Sequence, residues 1–153
     1  RIVNTVSCTY AIGRIEPDFF EKGRNGRFFR IPVYSNTKLA LLLFTQEFAE
    51  RLQDKDITIN ASDPGIVSTN MITMQAWFDP LTDILFRPFI KTPAQGAATA
   101  IHLALSDEAK DKNGCCYANC KKRNVSERIR HHAQQKQLWD DTETLLRQKG
   151  IRF

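Results

Sequence analysis

A tyrosine and a lysine four residues apart, Tyr34 and Lys38, open the strongest helical pattern in the chain. At that spacing two side chains share one face of a helix. A phenol ionises near pH ~10, too high for a base at neutral pH. An ammonium held beside it favours the phenolate and lowers that value. The pair can then move a proton to or from an alcohol or carbonyl oxygen. Taken alone, Tyr-x-x-x-Lys more often marks a surface tyrosine beside a solvated lysine, so the surroundings have to decide. Ser7 ends a stretch, RIVNTVS, whose Ile2, Val3 and Val6 favour a strand, and Asp63-Pro64-Gly65 follows a second β-branched run, ITINA, at 57–61. Ligands of open α/β sheets bind beyond the carboxyl ends of the strands. Ser7 would therefore reach the crevice that holds Tyr34 and hydrogen-bond a substrate oxygen. The Asp63–Gly65 turn would bring backbone N–H and C=O groups to the same edge, with Thr69 close by.

The elements that must position these residues follow from periodicity and punctuation. Leu39, Leu42, Leu43, Phe44, Phe48 and Leu52 recur at helical spacing and predict a helix over 34–53, with Pro32 just ahead of it. Residues 8–33 hold no sustained period and read as a long connection, a feature that in compact domains is often functional. Residues 66–92 mix Met71, Met74, Trp77 and Phe78 with Pro80 and Pro88. They read as short helices forming a flap, which would cover an apolar ligand or simply pack on the core. Thr92 suits an N-cap and Pro93 a first helical position, so a small-residue helix is expected over 93–105. A short strand at 115–118 and a polar surface helix from Ser126 to about Lys149 complete the order β-loop-α-β-flap-α-β-α. Such alternation predicts a parallel sheet covered by helices, with right-handed crossovers. Three strands are few for that architecture.

Composition narrows the function classes. The 153 residues are 42% hydrophobic and 25% charged, the profile of a globular chain of one domain. No stretch approaches the ~18 apolar residues of a membrane span. The net charge of +5 is dispersed, and no helix carries a basic stripe interleaved with aromatics, so nucleic-acid binding is not expected. Cys8, Cys115, Cys116 and Cys120 follow a C…CC-x3-C spacing that fits none of the usual paired zinc patterns. Reduced thiols in a cytoplasmic protein are the expectation, with a Cys3His site involving His131 or His132 as the alternative. The two glycosylation-type triplets, at Asn60 and Asn124, are read as chance in the absence of a secretory signal.

Taken in order, these segments resemble the short-chain dehydrogenase/reductase family. RIVNTVS resembles the strand that ends in that family's catalytic serine, YSNTK its Tyr-x-x-x-Lys motif, and ITINASDPGIVST its strand followed by Pro-Gly-x-Val-x-Thr. KLALLLFTQEFAERL, FIKTPAQGAATAIHLAL and LWDDTETLL are similar to the retinol-dehydrogenase-like branch. The resemblance covers essentially the whole chain, and its specificity lies in the order of the motifs. It implies the C-terminal half of a Rossmann-like, doubly wound parallel α/β sheet, with 1–153 a single partial domain. It also implies an NAD- or NADP-dependent oxidoreductase acting on a small apolar carbonyl or alcohol. Tyr34 would be the acid/base, Lys38 would lower its pKa and bind the nicotinamide ribose, and Ser7 would orient the substrate oxygen. Pro64, Gly65, Ile66 and Thr69 would line the nicotinamide side of the cofactor. A homo-oligomer through helix 34–53 is a further implication.

Three departures qualify the match. Val6 stands where the family often has a first serine. Asp63 stands before Pro64-Gly65 where this branch often has histidine. No Gly-x-x-x-Gly-x-Gly occurs, since Gly23 and Gly26 lie in a charged loop. The nucleotide-binding half is therefore expected to be missing, and the chain alone to be inactive. The competing reading is a truncated, non-catalytic fragment that serves only as a packing module. Deprived of neighbours, strand 1–7 would expose an edge.

Overall fold

The computed structural model describes residues 1–16, 19–20, 30–67 and 90–151. β1 (Ile2–Thr5), β2 (Ile59–Asp63) and β3 (Cys116–Ala118) are parallel neighbours, and β4 (Lys121–Lys122) pairs antiparallel with β3. The sheet of the described residues thus has four strands in the order β1-β2-β3-β4, one more than expected. The extra strand comes from a two-residue hairpin turn in which Asn119 and Cys120 take φ of 52° and 59°. That left-handed pair twists with the strands. Asparagine suits such a position, whereas a cysteine gives no hint of it in the sequence.

β2 ends at Asp63, two residues beyond the expected end of the strand. Pairing decides this: Ile2 lies opposite Ile59 and Ala61 opposite Cys116, and Ile57 is left exposed outside the ladder. Helix α1 (Arg30–Arg51) starts four residues earlier than expected. Pro32 sits inside its first turn, where the missing N–H has no helical partner to lose. Helix α2 (Pro93–Leu105) has the expected bounds, and Thr92 and Gln95 close a reciprocal capping box. The Arg1 guanidinium donates to the carbonyls of Leu103, Ala104 and Ser106 at the other end of α2. The C-terminal helix is two helices, α3 (Glu127–Arg130) and α4 (Gln135–Gln148), because His131 leaves the helical region with φ −120° and ψ 49°.

Side chains alternate across the strands, and the two faces carry different helices. Ala61 and Cys116 face α1, with Leu39, Leu42, Leu43, Val125, Ile129 and Leu138 in one core. Val3 and Tyr117 face the opposite side and pack with Leu103 of α2. Phe44 of α1 stacks on Trp139 of α4 with ring centroids 5.3 Å apart, and Phe48 meets the same ring at a tilt, 5.5 Å away. The crossovers β1-α1-β2 and β2-α2-β3 step the same way along the sheet but cover opposite faces. They therefore have opposite hands, and the expectation that both are right-handed fails for one of them. The connection between Asp63 and Pro93 is long, and the preference for one hand is that of compact βαβ units.

Candidate active site

β1 runs out at Thr5, and Ser7 caps a 3-10 turn over Cys8–Ile12 that begins the connection to α1. The Ser7 hydroxyl accepts from the Thr9 N–H at 3.4 Å and the Thr9 hydroxyl at 3.3 Å. A hydroxyl carries one donor besides its lone pairs, so Ser7 keeps a proton to offer. The 3-10 turn is pressed against α1 at Gly13, where an added Cβ would stand 2.5 Å from the Ser35 carbonyl oxygen. The Arg14 N–H donates to Asn36 Oδ1 at 2.8 Å across the same seam. This packing sets the start of α1 beside the end of β1. Lys38 reaches across and donates to the Thr5 carbonyl at 3.0 Å, while its ammonium lies 5.5 Å from the centroid of the Tyr34 ring. Tyr34 is 38% exposed and available to a ligand. The structure thus groups Tyr34 and Lys38 with the strand end that leads to Ser7.

The second wall is the turn after β2. Gly65 has φ of +77°, a conformation that favours glycine. Its N–H donates to Asp63 Oδ1 at 3.0 Å. The other Asp63 oxygen accepts from Arg123 at 2.8 Å, in an ion pair whose carboxylate is buried and whose guanidinium is partly exposed. This answers the departure at Asp63: a carboxylate here carries its own counter-ion, delivered by the residue just after β4. Arg123 also lies 6.0 Å from the ring centroid of Tyr10. Tyr10 and Cys116 are buried together in the core on the α1 side of the sheet. Burial pushes the Tyr10 phenol up to about 12 and the Cys116 thiol up to about 11, so both stay neutral near pH 7. Lys91 closes the turn from above, donating from Nζ to the Pro64 carbonyl at 2.8 Å and to Asn119 Oδ1 at 2.6 Å. Tyr10, Lys91 and Arg123 were not legible as site neighbours from spacing, because each arrives from a distant segment.

Pro64, Gly65 and Ile66 line the carboxyl edge beside β2, and Gly65 and Ile66 are exposed there. Thr69 and nearly all of the expected flap over 66–92 lie outside the described residues; Val67 and Lys91, at its base, form a parallel bridge. Among the described residues no group of His, Cys, Asp or Glu is placed to hold a metal, and Cys8, Cys115, Cys116 and Cys120 are free thiols. No helix among them is long and apolar enough to cross a membrane. A groove of about 240 Å³ between α1 and α4, lined by Phe19, Leu41, Phe44, Leu138 and Trp139, shares no residue with Ser7, Tyr34 or Lys38.

Residues 22–77, which contain Tyr34, Lys38 and Pro64-Gly65, match the family described as short chain dehydrogenase. Human retinol dehydrogenase 12 is 35% identical over 153 residues, covering 100% of this chain and 46% of that protein. Human retinol dehydrogenase 14 is 35% identical over 151 residues, covering 95% of this chain and 44% of that protein. The chain therefore spans less than half the length of these relatives. A solved structure of an uncharacterised protein from Mycobacterium paratuberculosis shares the fold, with a TM-score of 0.67 at 22% identity over 96% of this chain and 50% of that one. The order of segments, the match around Tyr34 and Lys38 and the parallel α/β fold agree with one another, and the chain belongs to the short-chain dehydrogenase/reductase family, among relatives of the retinol-dehydrogenase kind.

Proposed function

We propose that this chain carries the proton-transfer half of a nicotinamide-dependent oxidoreductase that interconverts an alcohol and a carbonyl on a small apolar substrate. The observation that carries the reading is the hydrogen bond from Lys38 to the Thr5 carbonyl, which ties the Tyr34 helix to the strand end leading to Ser7. The names of the relatives make a retinoid the first substrate to try.

The residues suit the nicotinamide end of NAD or NADP. Gly65 is exposed at the carboxyl edge, and Pro64, Ile66 and Thr69 would flank the ring with it. When bound, the nicotinamide supplies or takes up the hydride. The chain's own groups do the rest. The Ser7 hydroxyl donates a hydrogen bond to the substrate oxygen and fixes its direction. Tyr34 gives a proton to that oxygen in reduction and removes it in oxidation. Lys38 offsets the charge left on the phenol oxygen and offers its remaining N–H groups to the nicotinamide ribose. General acid-base catalysis by one positioned side chain is worth about 10²- to 10⁴-fold.

The test is Tyr34→Phe in the protein that carries this chain, assayed with retinal and NADH or NADPH. Turnover should fall by about 10²-fold or more, with cofactor binding retained. Turnover like that of the unaltered protein refutes the assignment. Titrating the unaltered protein with both cofactors separates an oxidoreductase from a packing module, which would bind neither.

A further inference from the structure

Lys91 lies in the FIKTPAQGAATAIHLAL segment and outside the catalytic motifs, yet it touches the turn proposed to face the cofactor at three places. Its backbone N–H donates to the Ile66 carbonyl at 2.8 Å, and residues 67 and 91 form a parallel bridge. Its ammonium donates to the Pro64 carbonyl at 2.8 Å and to Asn119 Oδ1 at 2.6 Å. Its stem crosses directly over Gly65, where an added Cβ would stand 3.0 Å from Nζ and 3.2 Å from Cε. One residue thus joins β2's terminal turn, the segment leading into α2 and the β3–β4 turn. The far anchor is itself fixed, because Asn119 sits in the left-handed region with φ of 52°. From the other side Asp63 Oδ1 accepts from the Gly65 N–H at 3.0 Å. The Pro64–Gly65 peptide is therefore gripped by its carbonyl and by the following N–H, with opposite charges on the two sides.

We propose that Lys91 is a positioning residue for the nicotinamide cofactor, holding the Pro64–Gly65 turn at the height at which the cofactor ring lies against it. This rests on the reading of the site given above. A hydrogen bond from a charged donor to a partly buried carbonyl is strong enough that its loss weakens dependent binding by about tenfold. A lysine that merely braced this edge of the fold would affect substrate binding as well.

The experiment compares Lys91→Met, Lys91→Arg and Asn119→Gly with the unaltered protein that carries this chain. Glycine accepts the left-handed conformation at 119, so Asn119→Gly removes the anchor without stressing the hairpin, even if Lys91→Met fails to fold. The expected result is a cofactor KM raised about tenfold by Lys91→Met, less by Asn119→Gly, and largely restored by Lys91→Arg. The substrate KM at saturating cofactor should stay unchanged. Hydrogen exchange at the amides of residues 65–67 should quicken in the same rank order. An unchanged cofactor KM, or an equal rise in substrate KM, overturns the proposal. If the unaltered protein binds neither NADH nor NADPH, the oxidoreductase reading and the positioning role fail together. Quickened exchange in that case retains only the grip on the turn, and unchanged exchange removes that too.

Discussion

Replacing Arg123 by methionine tests how the 63–65 turn is held. Asp63 is 1% exposed, and its carboxylate has two partners, the Gly65 N–H at 3.0 Å and the Arg123 guanidinium at 2.8 Å. Methionine keeps most of the stem and removes the charge. Removing one partner of a fully buried ion pair costs about 3–5 kcal/mol. Here the Arg123 side chain is 43% exposed, so water can reach the vacated place and the cost falls to about 2 kcal/mol. The weak contact over the Tyr10 ring adds at most about 0.5 kcal/mol. For a chain of this size about 2 kcal/mol lowers Tm by roughly 4–8 °C. Thermal and urea unfolding followed by circular dichroism read this directly. Asp63→Asn should cost a similar amount, and the double variant should recover about 1 kcal/mol or more of the sum. If Arg123→Met unfolds no earlier than a control at exposed Lys136, or if the two effects simply add, the ion pair does not hold the turn.

Two further outcomes follow from the same geometry. Gly13→Ala should be severely destabilising or should displace the 3-10 turn from α1, since its Cβ would meet Ser35 backbone at 2.5 Å and the Leu39 Cβ at 2.8 Å; a crystal structure or unfolding curve like that of the unaltered protein would contradict this. Alkaline stability should fall between about pH 9 and 12. Burial raises Cys116 from 9.0 to about 11 and Tyr10 from 10.0 to about 12. The folded state therefore holds protons that the unfolded state releases, and the stabilisation present below the unfolded values is lost as pH rises through the folded ones. A flat unfolding profile over that window would refute it, as would alkylation of buried Cys116 as fast as exposed Cys8 at pH 8 in the folded protein.

Much of the scaffold could be read from local pattern. Thr92 and Pro93 announce α2 through a cap local to the helix start, and its expected bounds are those observed. The Tyr34–Lys38 pair is equally local, because helical spacing alone puts both side chains on one face. Strand ends were harder. β2 slid two residues because its register depends on Ile2 and Cys116, which lie far away in sequence. The break between α3 and α4 escaped for a similar reason. Nothing around His131 to Gln134 resembles a proline or glycine stop, and the break lets Leu138 turn into the α1 face of the core.

The sequence by itself determined the residue types that can move a proton, their helical spacing, and the order of the main strands and helices around them, short of β4 and of the α3–α4 break. Only the tertiary structure decided what holds the site in place. Asp63 finds Arg123 sixty residues on, Lys91 spans Gly65 to reach Asn119, and the two crossovers lie on opposite faces. Caps, helical pairs and strand propensities are contacts within one turn of chain, so composition and spacing specify them. An ion pair or a clamp across a sheet edge depends on where separate segments come to rest, and that is settled by the packing of the whole core.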